Sequence, residues 1–229
     1  MLRTSKSELI TRVDWRKNFT AYSWNKKHHL FGYPPDKYAE FFWIASLEAR
    51  FQWLRENNVN GKTSATHLIK EMIQWGGSQN GTLQKFEEGV EQVNLMELIR
   101  STIEKLGDPR QAISMALEFP GMGLTYASKL LRFLDPENYG ALDSRIRKAL
   151  KTRNILDGVI IRDSSKKSMI DGYLVFLEFL SDVGEHLDKV PIDRPSCNLK
   201  RGKNSTGWRA ADIEMALFEW AGEVVQQKP

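Results

Sequence analysis

A Pro-Gly-x-Gly turn is the backbone feature of this chain best suited to binding a charged ligand. Pro120 ends one helix-forming stretch, and Gly121 and Gly123 leave the backbone free of side chains before the next one. The amides of Gly121–Leu124, at the N-terminus of that next helix, can then point outward at an anion such as phosphate. An ordinary turn between two helices is the alternative interpretation of the same residues.

Asp143 is the residue best suited to catalysis. It follows a second turn containing proline and glycine, and it stands at the start of a basic helix-forming stretch. A carboxylate held in a dry site stabilises positive charge at a reacting carbon, and it can orient or deprotonate an attacking water. An aspartate before a helix is also a common N-cap, and the two roles are compatible.

Residues 119–150 resemble the helix-hairpin-helix DNA glycosylase superfamily, which includes endonuclease III and the adenine-mismatch, alkylation-repair and oxoguanine glycosylases. In this chain the family signature is Phe119, Pro120-Gly121-Met122-Gly123, a helix over 124–134, a turn over 135–140, and Leu142-Asp143. The resemblance implies an all-α, multi-helix glycosylase-like fold with a helix-hairpin-helix motif at 110–134 and at most one short strand or hairpin.

The resemblance also implies an activity. A glycosylase flips a modified or mispaired base out of duplex DNA and hydrolyses its N-glycosidic bond, leaving an abasic site. Asp143 would be the catalytic carboxylate. Members that also nick DNA carry a lysine two residues after the second hairpin glycine, where this chain has Thr125, 18 residues before Asp143. A monofunctional enzyme is therefore implied, and Lys129, one helical turn beyond Thr125, is either a second candidate nucleophile or a phosphate contact.

The identity of the base stays open at this point. Ser144 and Arg145 follow Asp143 where many family members carry a small residue or threonine and then histidine or asparagine. We expect 8-oxoguanine, alkylated purines or the hypermodified cytosines of bacteriophage DNA, so the biological role is either DNA repair or phage defence. The alternative function is that of a non-enzymatic helix-hairpin-helix DNA-binding protein in which Asp143 only caps a helix.

Two further sets of residues are predicted to contact the DNA. The predicted DNA-binding residues are Gly121, Met122, Gly123, Leu124, Lys129, Arg145 and Lys148. The candidates for a base pocket or a wedge are Gln74, Trp75, Tyr126 and Trp208, with packing in the core as the alternative for each aromatic ring. The irregular basic stretch 188–208 adds candidate phosphate contacts, with plain solvent exposure as the alternative; they are Arg194, Lys200, Arg201 and Lys203.

Composition and charge fit this interpretation and exclude several others. The net charge is +4, whereas residues 120–170 alone carry ten Lys and Arg against five Asp and Glu, so positive charge is concentrated around the turn. Cys197 is the only cysteine, which excludes an internal disulfide and the iron–sulfur cluster of endonuclease III. We expect no metal, since His28-His29 lacks nearby carboxylates, and no cofactor. The partner would be double-stranded DNA, and the protein a cytoplasmic monomer without a membrane segment.

Helical periodicity runs through most of the chain and predicts an all-α fold of about eight helices. The stretches with this pattern are 36–58, 63–75, 83–89, 93–106, 109–119, 124–134, 144–153, 168–187 and 209–225. Only 158–162 is typical of a strand. We predict one helical domain over 1–229, or two helical lobes with a cleft between them.

Overall fold

The computed structural model describes residues 6–22, 43–57, 61–152 and 161–226. These ranges contain α-helices, two short 3₁₀ turns and no strand, which confirms the all-α prediction. The helices are α1 (Lys6–Arg12), α2 (Trp15–Ala21), α3 (Trp43–Asn57), α4 (Lys62–Trp75), α5 (Thr82–Gly89), α6 (Leu95–Glu104), α7 (Pro109–Ala116), α8 (Leu124–Leu134), α9 (Ser144–Thr152), α10 (Lys166–Lys189) and α11 (Ala210–Gln226).

The predicted helices lie close to the observed ones. The helix over 124–134 has the predicted bounds, and α10 begins two residues early because the Ser165 hydroxyl caps it, accepting from the Ser168 amide at 3.3 Å. The helices α1 and α2 were not predicted, since seven residues are too few for a clear periodicity. Residues 36–42, His28-His29 and most of the predicted strand at 158–162 lie outside the described residues.

The chain forms two compact units. The central unit is Ser23–Asp135, and the terminal unit combines Met1–Tyr22 with Pro136–Pro229. The Pro-Gly-x-Gly turn therefore belongs to the central unit, and Asp143 belongs to the terminal unit.

The helix α8 forms the core of the central unit. Every one of its residues is buried except Thr125. Phe133 stacks on Phe51 of α3, with ring centroids 5.4 Å apart, and meets the edge of Trp75 of α4 at 5.0 Å. The amide of Gln52 donates to the carbonyl oxygens of Phe133 and Leu134, each at 3.0 Å, and so satisfies the C-terminus of α8.

Two buried carboxylates of the central unit are matched by arginines. Glu48 accepts from the fully buried Arg132 at 2.6 Å. Glu71 accepts from both terminal nitrogens of Arg50, at 2.6 and 2.7 Å, and from the indole of Trp43 at 2.8 Å. Burial raises the pKa of Glu71, but the hydrogen bonds from Arg50 and Trp43 outweigh it, so the pKa of this carboxyl lies below its usual 4.5.

The terminal unit is built around α11, which packs against α2, α9 and α10. Its apolar core combines aliphatic side chains with several aromatic rings. Phe19 of α2 meets the indole of Trp208 edge-on, with centroids 5.3 Å apart, while Tyr173 and Phe176 of α10 lie side by side at 6.2 Å.

The irregular stretch before α11 is ordered by a buried charge cluster. Both carboxylate oxygens of Asp212 accept from Arg209, at 2.7 and 3.0 Å, and Arg194 lies 3.4 Å from the same carboxylate. All three side chains are buried. Arg194 therefore points inward and holds the stretch together, which differs from the phosphate contact that the sequence suggested.

The Glu71 cluster predicts a pH-dependent stability. Because the pKa of Glu71 is lowered by folding, its contribution is fully present above the unfolded-state value near 4.5 and is lost as the pH falls through the folded-state value. We expect Glu71→Gln to lower the free energy of unfolding by about 2 kcal/mol at neutral pH. Urea denaturation of the wild type and the variant should show that the difference between their free energies of unfolding becomes smaller below pH 4.5. A difference that does not change with pH would contradict the lowered pKa of Glu71.

Candidate nucleic-acid interface and carboxylate site

The turn between α7 and α8 is compact and apolar on its inner side. The Met122 amide donates to the Phe119 carbonyl at 3.1 Å, which closes the turn, and both side chains are buried. Gly121 has a φ of +71°, in the left-handed region that favours glycine. The turn therefore requires glycine at its first glycine position.

The two glycines of the turn serve different purposes. A Cβ added at Gly121 would lie 2.6 Å from the Lys85 Cβ and 3.1 Å from the Phe86 amide nitrogen and the Thr82 carbonyl oxygen, so α5 packs directly on this residue. A Cβ at Gly123 would meet nothing within 4 Å, and its φ of −85° is open to any residue. Gly121 is thus explained by packing, whereas nothing inside the described part of the central unit requires Gly123.

The N-terminus of α8 presents free amides. No side chain of a described residue caps it, in contrast to α7, where the Asp108 carboxylate accepts from the Gln111 amide at 3.1 Å. Among the described residues, the amides of Gly123, Leu124 and Thr125 have no acceptor, while Gly123 is exposed and Thr125 partly so. Unsatisfied amides at the positive end of a helix are groups that can bind an anion.

Lys129 is buried beneath an aromatic ring. Its side chain is 7% exposed, and its ammonium lies 5.0 Å from the centroid of the Trp75 indole. Its stem packs against Gly76, where an added Cβ would be 3.2 Å from the lysine Cδ and Cε. In this structure the ammonium is held on the indole face, so Lys129 is not presented to solvent as a phosphate contact would be.

Tyr126 anchors the loop that follows α4. Its hydroxyl accepts from the Gln79 amide at 2.8 Å and donates to the Gly76 carbonyl at 3.4 Å, and burial raises the pKa of this phenol. Trp75 is half-buried against α8, so Trp75 and Tyr126, two of the three predicted stacking rings, are engaged in packing. Gln74 is half-buried at the end of α4.

The tip of this loop is strained. Ser78 and Asn80 have φ values of 49° and 58°, between the left-handed glycines Gly77 and Gly81. Gln79 and Asn80 are the exposed amide side chains of the loop. They are more exposed than Gln74, the amide that the sequence analysis named as a wedge candidate, and the short Gly-Gly-Ser-Gln-Asn-Gly run is the sequence signal for this exposed tip.

Asp143 caps α9 with one oxygen of its carboxylate. Its Oδ1 accepts from the Ile146 amide at 2.9 Å, and its carbonyl accepts from the Arg147 amide at 3.0 Å. The second carboxylate oxygen has no hydrogen-bond donor among the residues that the structure describes. The side chain is partly exposed, directly after the buried run 139–142. One carboxylate oxygen is therefore held in the cap, while the residue as a whole remains partly exposed.

The segment that leads into Asp143 is held rigidly in the terminal unit. The Tyr173 hydroxyl donates to the Gly140 carbonyl at 2.9 Å, and a Cβ at Gly140 would lie 2.6 Å from Leu180 and 2.9 Å from Glu214. Burial, together with the nearby Tyr139 and Glu214, raises the pKa of Tyr173 well above 10. Tyr173 consequently remains a hydrogen-bond donor across the physiological range.

The basic residues of α9 differ in their surroundings. The Arg145 guanidinium lies 4.1 Å from the centroid of the Phe218 ring, and Arg147 donates to Asp163 at 2.8 Å. Lys148 is exposed. Trp208, by contrast, is 1% exposed and donates its indole N–H to the Ile192 carbonyl at 2.7 Å, so it forms part of the core of the terminal unit.

Other kinds of site are not seen in the described ranges. They hold no group of three or more His, Cys, Asp or Glu side chains that could bind a metal ion. No helix within them has the length and apolar character to cross a membrane. Comparison of the chain with protein-family models, with curated proteins and with solved structures found no match.

The structure of the turn predicts different effects on stability for substitutions of its two glycines. Gly121→Ala should lower the free energy of unfolding by about 2–4 kcal/mol, because the left-handed φ and the contact with α5 both oppose a Cβ. Gly123→Ala should leave stability within about 0.5 kcal/mol of the wild type. Chemical denaturation of the two variants measures this difference, and equal losses would show that the described packing is wrong.

Proposed function

We infer that this protein is a DNA glycosylase that hydrolyses the N-glycosidic bond of a flipped base and leaves an abasic site. The observation that carries the inference is the Asp143 carboxylate. One oxygen is fixed by the Ile146 amide, the other has no donor among the described residues, and the residue is partly exposed.

The free amides at the start of α8 support a nucleic-acid partner. Phosphate oxygens accept hydrogen bonds from exposed backbone amides at helix N-termini, and these contacts fix the register of the DNA without reading its sequence. Gly123 leaves room for a phosphate to approach the backbone, and the excess of basic residues over 120–170 supplies favourable charge.

The chemistry follows from the charge that develops on the sugar. Breaking the bond between C1′ and the base nitrogen builds positive charge on the deoxyribose. The Asp143 carboxylate would stabilise that charge and orient or deprotonate the attacking water, whose oxygen becomes bonded to C1′. The segment before Asp143 is fixed by Tyr173, so the carboxylate would require little reorganisation during the reaction.

We propose a monofunctional enzyme. Thr125 stands where nicking relatives carry their lysine, and the Lys129 ammonium is held on the face of Trp75. The base remains among 8-oxoguanine, alkylated purines and the hypermodified cytosines of phage DNA, with repair or phage defence as the role. The alternative function is DNA binding without catalysis, and the observation that supports it is that Asp143 caps a helix.

The chain offers a matched pair of aspartates that separates these two functions. Asp14 caps α2 by accepting from the Lys17 amide at 3.0 Å, much as Asp143 caps α9, and both belong to the terminal unit. Asparagine caps a helix about as well as aspartate. We expect Asp143→Asn to reduce excision at least about a hundredfold while DNA binding persists, and Asp14→Asn to leave excision unchanged.

Excision would be measured on a panel of duplexes carrying damaged bases, together with native phage DNA, with alkaline cleavage revealing abasic products. Full activity of Asp143→Asn would overturn the assignment of the site. The absence of excision by the wild type on every substrate, with binding intact, would favour the non-catalytic alternative. Borohydride treatment should trap no covalent adduct, and an adduct lost in Lys129→Ala would show the chain to be bifunctional.

The proposed phosphate contact at the start of α8 makes a separate prediction about DNA affinity. Gly123→Ala should weaken binding to any duplex about tenfold, because its Cβ would project into the space through which a phosphate reaches the amides. Fluorescence anisotropy with labelled duplexes of several sequences measures this effect. Wild-type affinity in the folded variant would mean that the turn only joins two helices.

A further inference from the structure

The stretch between α10 and α11, residues 191–209, is an ordered loop. The Arg194 amide donates to the Thr206 carbonyl at 3.0 Å, and the Gly202 amide donates to the Gly207 carbonyl at 2.8 Å, so its two arms run side by side. Long loops without secondary structure in compact domains are frequently functional. We refer to residues 191–209 as the basic loop.

Buried polar contacts fix the basic loop to the terminal unit. Arg194 and Arg209 share the carboxylate of Asp212, and Arg194 also donates to the Leu199 carbonyl at 3.0 Å. The Thr206 hydroxyl donates to Asp188 of α10 at 2.6 Å. A loop held at this many points presents its outer side chains without the ordering cost that a mobile loop would pay on binding.

The outer edge of the basic loop carries three basic side chains. Lys200 and Lys203 are exposed, and neither has an ion-pair partner among the described residues. Arg201 is half-exposed and donates to the Thr206 carbonyl at 2.8 Å, with Asp193 3.8 Å from its guanidinium. The Glu137 and Asp188 carboxylates accept from the Lys203 amide and the Thr206 hydroxyl, so among the described residues the ammonium groups of Lys200 and Lys203 are left without an ion pair.

The basic loop is also tied to the segment that leads into Asp143. The Lys203 amide donates to the Glu137 carboxylate at 3.0 Å. The amides of Ala210 and Ala211, which follow the loop, donate to the carbonyls of Glu137 and Pro136, each at 3.1 Å. The charged edge and the candidate catalytic carboxylate therefore belong to one rigid framework within the terminal unit.

We propose that the basic loop is a phosphate-binding surface for duplex DNA, separate from the turn before α8, with Lys200 and Lys203 as its contacts. The proposal rests on the glycosylase function, because it assigns a second contact to the same substrate. Its role is to hold the sugar–phosphate backbone in a fixed position relative to Asp143. Such contacts add affinity without sequence preference and make it depend on salt.

The test is the salt dependence of binding by the full chain. Lys200→Gln/Lys203→Gln removes both charges, and its matched control is Arg16→Gln/Lys105→Gln, which removes two exposed charges outside the loop. The probe is a fluorescein-labelled duplex with a central tetrahydrofuran abasic-site analogue, titrated at about 50 to 300 mM KCl. Melting temperatures should be unchanged, since all four residues are exposed.

In the loop variant we expect the slope of log K against log salt to become less negative by about 1.8. We also expect the affinity at about 0.15 M salt to fall about 30-fold. The control should keep the wild-type slope. An unchanged slope in the loop variant, or an equal fall in the control, would overturn the proposal. Excision assays distinguish the two inferences. If the wild-type protein excises no base but the loop variant still has the shallower salt slope, the glycosylase proposal is wrong and the phosphate-binding surface stands.

Discussion

The burial of α8 is the constraint on which the central unit depends. With every residue but Thr125 covered by protein, this helix cannot shift without disturbing the contacts of Phe133 with α3 and α4. The backbone groups at the two ends of α8 differ in their hydrogen bonding. The C-terminal carbonyls accept from Gln52 and Arg55, whereas the N-terminal amides find no acceptor in the described part of the chain. The core therefore fixes a set of unsatisfied donors at one place on the surface.

In both units, buried carboxylates are paired with buried arginines. Glu48 is matched by Arg132 in the central unit, and Asp212 is matched by two arginines in the terminal unit. Removing one member of such a pair leaves an uncompensated charge, so these clusters specify where the backbone around them must lie. Lys129 departs from this pattern, because the partner of its ammonium is the indole of Trp75 rather than a carboxylate.

The sequence predicted the features that depend on local signals. The bounds of α8 follow from a glycine before an apolar periodic run, and the cap formed by Asp143 follows from an aspartate at a helix start. Tertiary contacts decided the rest. Nothing in the order of residues near Lys129 or Arg194 shows that one lies beneath an indole and that the other points toward Asp212. Similarly, α2 is too short for periodicity and depends on its packing against α11.

The assembly of the terminal unit from both ends of the chain sets an order for folding. The helices of the central unit are contiguous in sequence, so it can form from local contacts as soon as its residues are available. The helix α2, however, packs against α11, and Phe19 meets Trp208, across roughly 190 residues. During synthesis α2 cannot bury its apolar side against α11 until α11 has been made. The framework around Asp143 would consequently be the last part of the molecule to acquire its native shape.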